Sequence, residues 1–217
     1  MTSQWSNSVL LVAMLVLLGV EPFFLGQALF DGLVSIVLLA AVWVISPKPR
    51  LHLVSIALVL PAFIGRWLLY LHESHVVIVI SACFAMSFFA LTVIVLLWRA
   101  FGGSTVTADT IAGAVCAYLL LGVVWGFAFS LIELERPGAF LVNGVPMAAA
   151  PGTPKILRQE LLYLSMVTLS TVGYGDIVPV VPPARMLAVL EAVTGQIYIA
   201  VLIGGLVGMQ MHRRRDA

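Results

Sequence analysis

The stretch Thr171-Val172-Gly173-Tyr174-Gly175-Asp176 decides how the rest of this sequence is read. It follows a short apolar run, Glu160 to Ser170, and precedes a long one, Met186 to Met211. Glycine at alternate positions between two apolar segments is costly unless the backbone has a task of its own. Gly173 and Gly175 can take the positive φ that other residues resist, which lets consecutive carbonyls turn to the same side.

The composition puts that loop in a membrane protein. The chain has 217 residues, 62% hydrophobic and only 10% charged, with net charge +1. A soluble domain of this size needs far more polar surface, and the charge offers no basic face for nucleic acid. Cys83 and Cys116 lie inside apolar runs and read as small packing residues, not as a disulfide or metal pair. His52, His72, His75 and His212 sit at segment ends. His72-Glu73-Ser74-His75 reads as a solvated loop, with weak metal binding as the alternative. Val9 to Phe24 reads as a retained helix, since no basic residue precedes it and no small-residue cleavage site follows.

About 20 apolar residues cross a bilayer. Successive runs fit that length: Trp5 to Phe24, Gly26 to Ile45, Leu51 to Leu71 (with Pro61, Gly65 and Arg66 inside), Val76 to Trp98, a helix to Leu134 capped by Thr107 or Asp109, and Met186 to Met211. Ser46-Pro47-Lys48-Pro49-Arg50 breaks the second from the third. Arg99 to Thr107 forms a linker. Glu135 to Arg158, rich in Pro and Gly, is expected as an irregular exposed loop. Gln159 to Pro182 then re-enters the membrane. The expected fold is an all-α membrane protein of six transmembrane helices, with a re-entrant helix and loop between the fifth and sixth. Its domains are a four-helix unit over 1–101 and a second unit over 107–212.

Positive charges orient the chain. With a cytoplasmic N-terminus, Lys48, Arg50, Arg99 and Arg213 to Arg215 lie inside, six of eleven. Arg136, Lys155, Arg158 and Arg185 lie outside, and both termini are cytoplasmic. Glu21, Glu73, Glu133, Glu135, Glu160 and Asp176 then face outward. They raise local cation concentration, although most read as solvated loop charges.

A row of carbonyl oxygens facing one axis can replace the water shell of a dehydrated potassium ion. At Thr171 to Asp176 the sequence resembles the selectivity filter of the potassium-channel superfamily, specifically a compact bacterial six-helix channel with one pore loop per chain. The likeness extends through Leu161 to Ser170, which resembles the pore helix, and covers Asp109 to Met211. The resemblance implies a homotetramer, since one chain supplies one loop and a ring of carbonyls needs several. It implies K+ as permeant ion, held by the carbonyls of Thr171, Val172, Gly173 and Tyr174 and the Thr171 hydroxyl, with Gly175 completing the filter and no cofactor. It implies support from Tyr174 and Asp176 behind the filter, from Tyr163, and from Thr168 in packing or lining. Two departures stand out. The family commonly carries two aromatic residues where this chain has Tyr163 and Leu164, and some bacterial members carry a glutamate where it has Val167. The resemblance also makes Gly195 the gating hinge, with close helix packing as the alternative. Packing is the expectation for Gly204, Gly205 and Gly208. Glu191, an acid inside the last helix, is expected to bond Ser165, Thr168 or Tyr163.

The first four helices resemble a voltage sensor without its arginines. Val76 to Trp98 has none, and Arg99 lies at its end. A charge crossing the field is worth about 2.3 kcal/mol per 100 mV, so weak or no voltage dependence is expected. Arg66 is expected to pair with Asp31 or Glu73, or to snorkel outward. Six residues follow Met211, so nucleotide or calcium gating is expected to need a separate partner, as yet unknown. The expected location is a plasma or inner membrane, in lipid. The leading function is a potassium-selective channel. The alternatives are a poorly selective cation channel and a non-conducting membrane subunit or sensor. No nucleophile with a base, metal-ligand cluster or phosphate loop argues for an enzyme.

Overall fold

A computed structural model describes residues 6–20, 27–45, 49–69, 74–102, 107–147 and 159–215. The elements run α1 (Ser6–Val20), α2 (Gln27–Ile45), α3 (Pro49–Leu68), α4 (His75–Gly102), α5 (Ala108–Glu135), β1 (Phe140–Val142), β2 (Val145–Pro146), α6 (Gln159–Leu169), β3 (Ile177–Pro179) and α7 (Pro182–Arg215). Among the described residues four segments are long and apolar enough to cross a membrane: Leu51–Leu68, His75–Gly102, Ala108–Glu135 and Pro182–Leu202. Asn7–Gly19 and Leu29–Ile45 are apolar but shorter. The expected ends at Glu21, Lys48, His72 and Glu73, and the segment 148–158, lie outside the described residues.

Two expectations change. The chain is not wholly α-helical, because residues 140–146 form a hairpin and β3 joins it in a three-stranded sheet of order β2-β1-β3. Residues 136–147 are therefore ordered rather than an irregular loop. The hairpin turn is Asn143-Gly144, both with positive φ (50° and 82°), the geometry of a two-residue turn whose twist matches its strands. α7 begins at Pro182, four residues before the expected Met186, because proline is pre-organised for the first helical turn and has no N–H to leave unpaired there.

The chain divides into two compact units. The first comprises Met1–Val59, Phe88–Leu121 and Tyr198–Ala217. In it α1 packs on α2. Leu10, Met14 and Leu17 are buried at helical spacing on α1, and Phe30, Val34, Val37, Leu38 and Ala41 on α2. The start of α5 is capped by Thr107 rather than Asp109: Thr110 N–H donates to Thr107 Oγ1 at 3.2 Å, and Thr107 N–H donates to Thr110 Oγ1 at 3.3 Å. Asp109 instead accepts from Asn7 Nδ2, at 2.9 Å through Oδ2 and 3.2 Å through its carbonyl. Cys116 is buried, as expected of a packing residue, and its Sγ meets the Asn7 carbonyl, whereas Cys83 is exposed.

The second unit comprises Leu60–Ser87 and Gly122–Ile197. There α3 and α4 approach so closely that a side chain at Gly65 would collide with Ser81. Arg66 is 2% exposed, so within this chain it does not snorkel outward. His75 Nε2 lies 3.5 Å from Glu135 Oε1, an exposed contact between the start of α4 and the end of α5. No three-residue metal-ligating cluster is found among the described residues. Phe129, Ala139, Phe140, Met147, Leu161, Leu164, Ile177 and Ala184 form one apolar core. Phe129 and Phe140 meet edge to face at 5.5 Å.

Candidate functional site: the Thr171–Asp176 loop

The loop leaves the C-terminus of α6 and alternates in handedness. Thr171, Gly173 and Gly175 have φ of 60°, 59° and 80°, whereas Val172 and Tyr174 are not in the left-handed region. Alternating left- and right-handed residues put successive carbonyls on one edge of the chain and successive N–H groups on the other. The two glycines meet the expectation. Thr171 was not foreseen, because a β-branched residue at positive φ is strained by about 1–3 kcal/mol and composition gives no hint of it.

The backbone of α6 holds the N–H edge. Val167 O accepts from Val172 N at 2.9 Å and from Gly173 N at 3.4 Å, and Thr168 O accepts from Thr171 N at 2.9 Å. These are the carbonyls that a helix C-terminus leaves without intrahelical donors. Thr168 thus supports the loop through its carbonyl, and Val167 compensates in its backbone for a side chain that cannot hydrogen-bond. From α7, Gln196 Nε2 donates to Thr171 Oγ1 at 3.3 Å, a contact the sequence reading missed. Thr171 to Gly175 are all exposed in the single chain.

The sheet holds the far end. Asn143 N donates to Asp176 O at 2.7 Å, and Val180 N to Ala139 O at 2.9 Å. β1 pairs with β3 antiparallel, Val142 opposite Ile177 and Phe140 opposite Pro179. Behind the loop, the Tyr163 phenol lies beside the Asp176 carboxyl and near Tyr174, so three of the four residues named as support are brought together. Leu164 instead enters the apolar core.

Glu133 has a different place from the one expected. It is not a solvated outer charge but is 3% exposed. Its Oε1 accepts from Gly138 N at 2.8 Å and its Oε2 from Phe140 N at 3.1 Å. The carboxylate thereby fixes the turn that aims β1 at β3. The signal available in sequence was an acid five residues ahead of Gly138, which takes φ 84°.

On α7, Glu191 is fully buried and bonded to Ser165, the first of its three expected partners. Gly195 is buried where α7 crosses the end of α6, and a Cβ there would run into the Leu169 carbonyl. α7 continues unbroken through it. Gly205 lies against Phe101, as packing predicts, whereas Gly204 has open space around it.

Residues 157–210 match the ion channel family. That region is similar to an ion channel domain, in a mostly helical protein with helices able to cross a membrane. Protein LctB of Geobacillus stearothermophilus is 38% identical over 78 residues, which cover 36% of this chain and 57% of that protein. Protein LctB of Bacillus caldotenax is 35% identical over 83 residues, 38% of this chain and 60% of that protein. Two pore potassium channel c of Oryza sativa is 36% identical over 76 residues, 32% of this chain and 17% of that protein. The chain thus spans less than two thirds of each of these relatives. No solved structure matches.

Proposed function

We propose that this chain is the subunit of a potassium-selective channel in which four copies surround a pore. The observation that carries the reading is the alternation of positive φ at Thr171, Gly173 and Gly175, with the N–H groups of Val172 and Gly173 drawn back to Val167. Four such loops around an axis present rings of carbonyls from Thr171, Val172, Gly173 and Tyr174, with the Thr171 hydroxyl below, which can replace the water shell of a dehydrated K+. Likeness to a protein named as a potassium channel supports the choice of ion. In this reading α6 is the pore helix and α5 and α7 are the outer and inner helices, together a pore domain over 107–212. α1 to α4 form a separate domain over 1–101. In this reading α1 to α5 and α7 all span the plasma or inner membrane, the shorter α1 and α2 included, with both termini cytoplasmic. Gly195 is the bending point of the inner helix, close packed when the pore is shut.

No enzyme activity or cofactor belongs to this reading; the K+ ion is the permeant species. α4 carries Arg99 alone among basic side chains between Val76 and Gly102, so opening depends weakly or not at all on voltage. A second reading, a cation channel of poor selectivity, draws on the single aromatic, Tyr163, behind Tyr174.

The test is ion flux from liposomes holding the purified protein, in potassium and sodium gradients, with and without barium. Potassium flux that barium blocks and Gly173→Ala abolishes is the expected result. Equal sodium flux favours the poorly selective channel. Absence of flux from well-formed assemblies under every gradient refutes conduction.

A further inference from the structure

Ser165 stands at the centre of a bond that three helices share. Its Oγ lies 2.6 Å from the carbonyl oxygen of Gly122 on α5 and 2.5 Å from Oε1 of Glu191 on α7. A hydroxyl owns one hydrogen. A carbonyl can only accept, so the Ser165 hydrogen goes to Gly122. The contact to Glu191 then has no hydrogen unless the carboxyl supplies it. Giving the serine hydrogen to Glu191 instead would leave two bare acceptors 2.6 Å apart at Gly122. Two contacts this short need two hydrogens.

The surroundings agree. Glu191 has no exposed surface, and its Oε2 has no hydrogen-bond partner among the described residues. An ionised carboxylate there would keep a full charge in an apolar setting, with one oxygen unsolvated and no ion pair among the described residues. A neutral acid leaves only one carbonyl-type oxygen unpaired, a far smaller cost.

We infer that Glu191 is a neutral carboxylic acid that donates to Ser165, which donates in turn to Gly122, so that one relay of two hydrogen bonds positions α6 between α5 and α7. The relay lies between two close approaches at glycines, of which the one at Gly195 is against backbone. Met166 sits over Gly122, and the Leu169 carbonyl sits over Gly195. Because the Thr171–Asp176 loop hangs from the last carbonyls of α6, Glu191 acts on the loop as a positioning residue without touching it. The protonation rests on the geometry alone; its consequence for conduction rests on the channel reading.

The experiment is infrared spectroscopy of the full-length protein in liposomes near neutral pH, alongside potassium flux, for wild type, Glu191→Gln, Glu191→Ala and Ser165→Ala. The expected wild-type spectrum contains the C=O stretch of a protonated carboxyl. Glu191→Gln removes that band and Ser165→Ala moves it to higher frequency as its hydrogen bond is lost. Glu191→Gln, whose amide N–H can replace the donor, keeps flux within about twofold of wild type, whereas Glu191→Ala lowers it by about tenfold or more, the value of one lost hydrogen bond near the top of its range. A wild-type spectrum with no such band, or a band untouched by both Glu191→Gln and Ser165→Ala, overturns the inference even if Glu191→Ala fails to fold. A band that behaves as expected in a protein that passes no potassium upholds the relay and removes the channel reading instead.

Discussion

Replacing Glu133 by glutamine tests whether the outer end of the Thr171–Asp176 loop is held by one buried carboxylate. Glu133 accepts two backbone hydrogen bonds, from Gly138 at 2.8 Å and Phe140 at 3.1 Å. Glutamine keeps the shape but only one acceptor, and turns an NH2 toward the other N–H. A charge-assisted bond is worth about 1.5–3 kcal/mol, and a buried N–H left unpaired costs about as much; the two figures overlap, so about 2–3 kcal/mol is lost. At 1.4 kcal/mol per factor of ten, the turn opens about 30- to 140-fold more often. Hydrogen exchange followed by mass spectrometry reads this directly. The faster exchange should reach beyond Gly138 and Phe140 to residues 140–143 and 177–180, because β1 carries β3 and Asn143 carries Asp176. Glu133→Ala, which removes both acceptors, should go further in the same peptides. Acceleration below about threefold, or confined to the turn, would mean that the apolar core around Phe140 and Ile177 holds the sheet unaided, and the reasoning would fail.

Three further substitutions separate the remaining supports. Gly195→Ala places a methyl against the Leu169 carbonyl and the Leu169 side chain, so overpacking of about 1–3 kcal/mol should lower the melting temperature; an unchanged melting curve with altered opening would assign the glycine to bending alone. Tyr163→Phe removes the hydroxyl beside the Asp176 carboxyl and should speed exchange at Asp176 and Ile177 while leaving the α6 amides unchanged; unchanged exchange there would show that Tyr174 and the sheet suffice. Thr107→Ala removes the cap of α5, worth about 1 kcal/mol, and should raise exchange at Thr110 and Ile111 about fivefold, with no change at the far end of the helix.

The helices and the loop were legible in the sequence because their signals are local. Long apolar runs can only be read one way, and Gly173 and Gly175 advertise positive φ. The sheet was legible too, but was masked by its company. Phe140-Leu141-Val142-Asn143-Gly144-Val145 is a strand, a two-residue turn and a strand start, yet the prolines and glycines around it read as an irregular loop. Glu133 could not be assigned from composition, because a carboxylate near a helix end is as much at home in solvent as in a turn, and only the fold chooses. The positive φ at Thr171 depends on carbonyls three and four residues back being free to receive the loop, which is a property of where α6 ends. Glu191 was flagged as an expensive acid, and three partners were open to it; packing selected Ser165 because Gly122 and Gly195 let α5 and α7 close in on either side.

The loop's conformation is one that a short peptide would not keep. A threonine at φ 60°, with two glycines free to relax further along the loop, persists only where its surroundings over-determine it. Here the determinants are divided by position along the loop. At its start, Val172 and Gly173 are bound to α6 and Thr171 is touched by Gln196. At its end, Asp176 is bound by Asn143 through the sheet, and its side chain lies beside the Tyr163 phenol. The middle, Tyr174, is 72% exposed in the single chain and has no backbone bond to the rest of it among those described. That middle is the part that neighbouring copies would have to complete in a four-fold ring. Disturbance at either end should therefore travel inward to Gly173–Gly175, the stretch with the fewest bonds of its own. Val167 carries two of the loop's backbone bonds through a carbonyl rather than a side chain, so changing its side chain to another aliphatic of similar size leaves the start of the loop in place, whereas shortening α6 by a single residue removes both bonds at once.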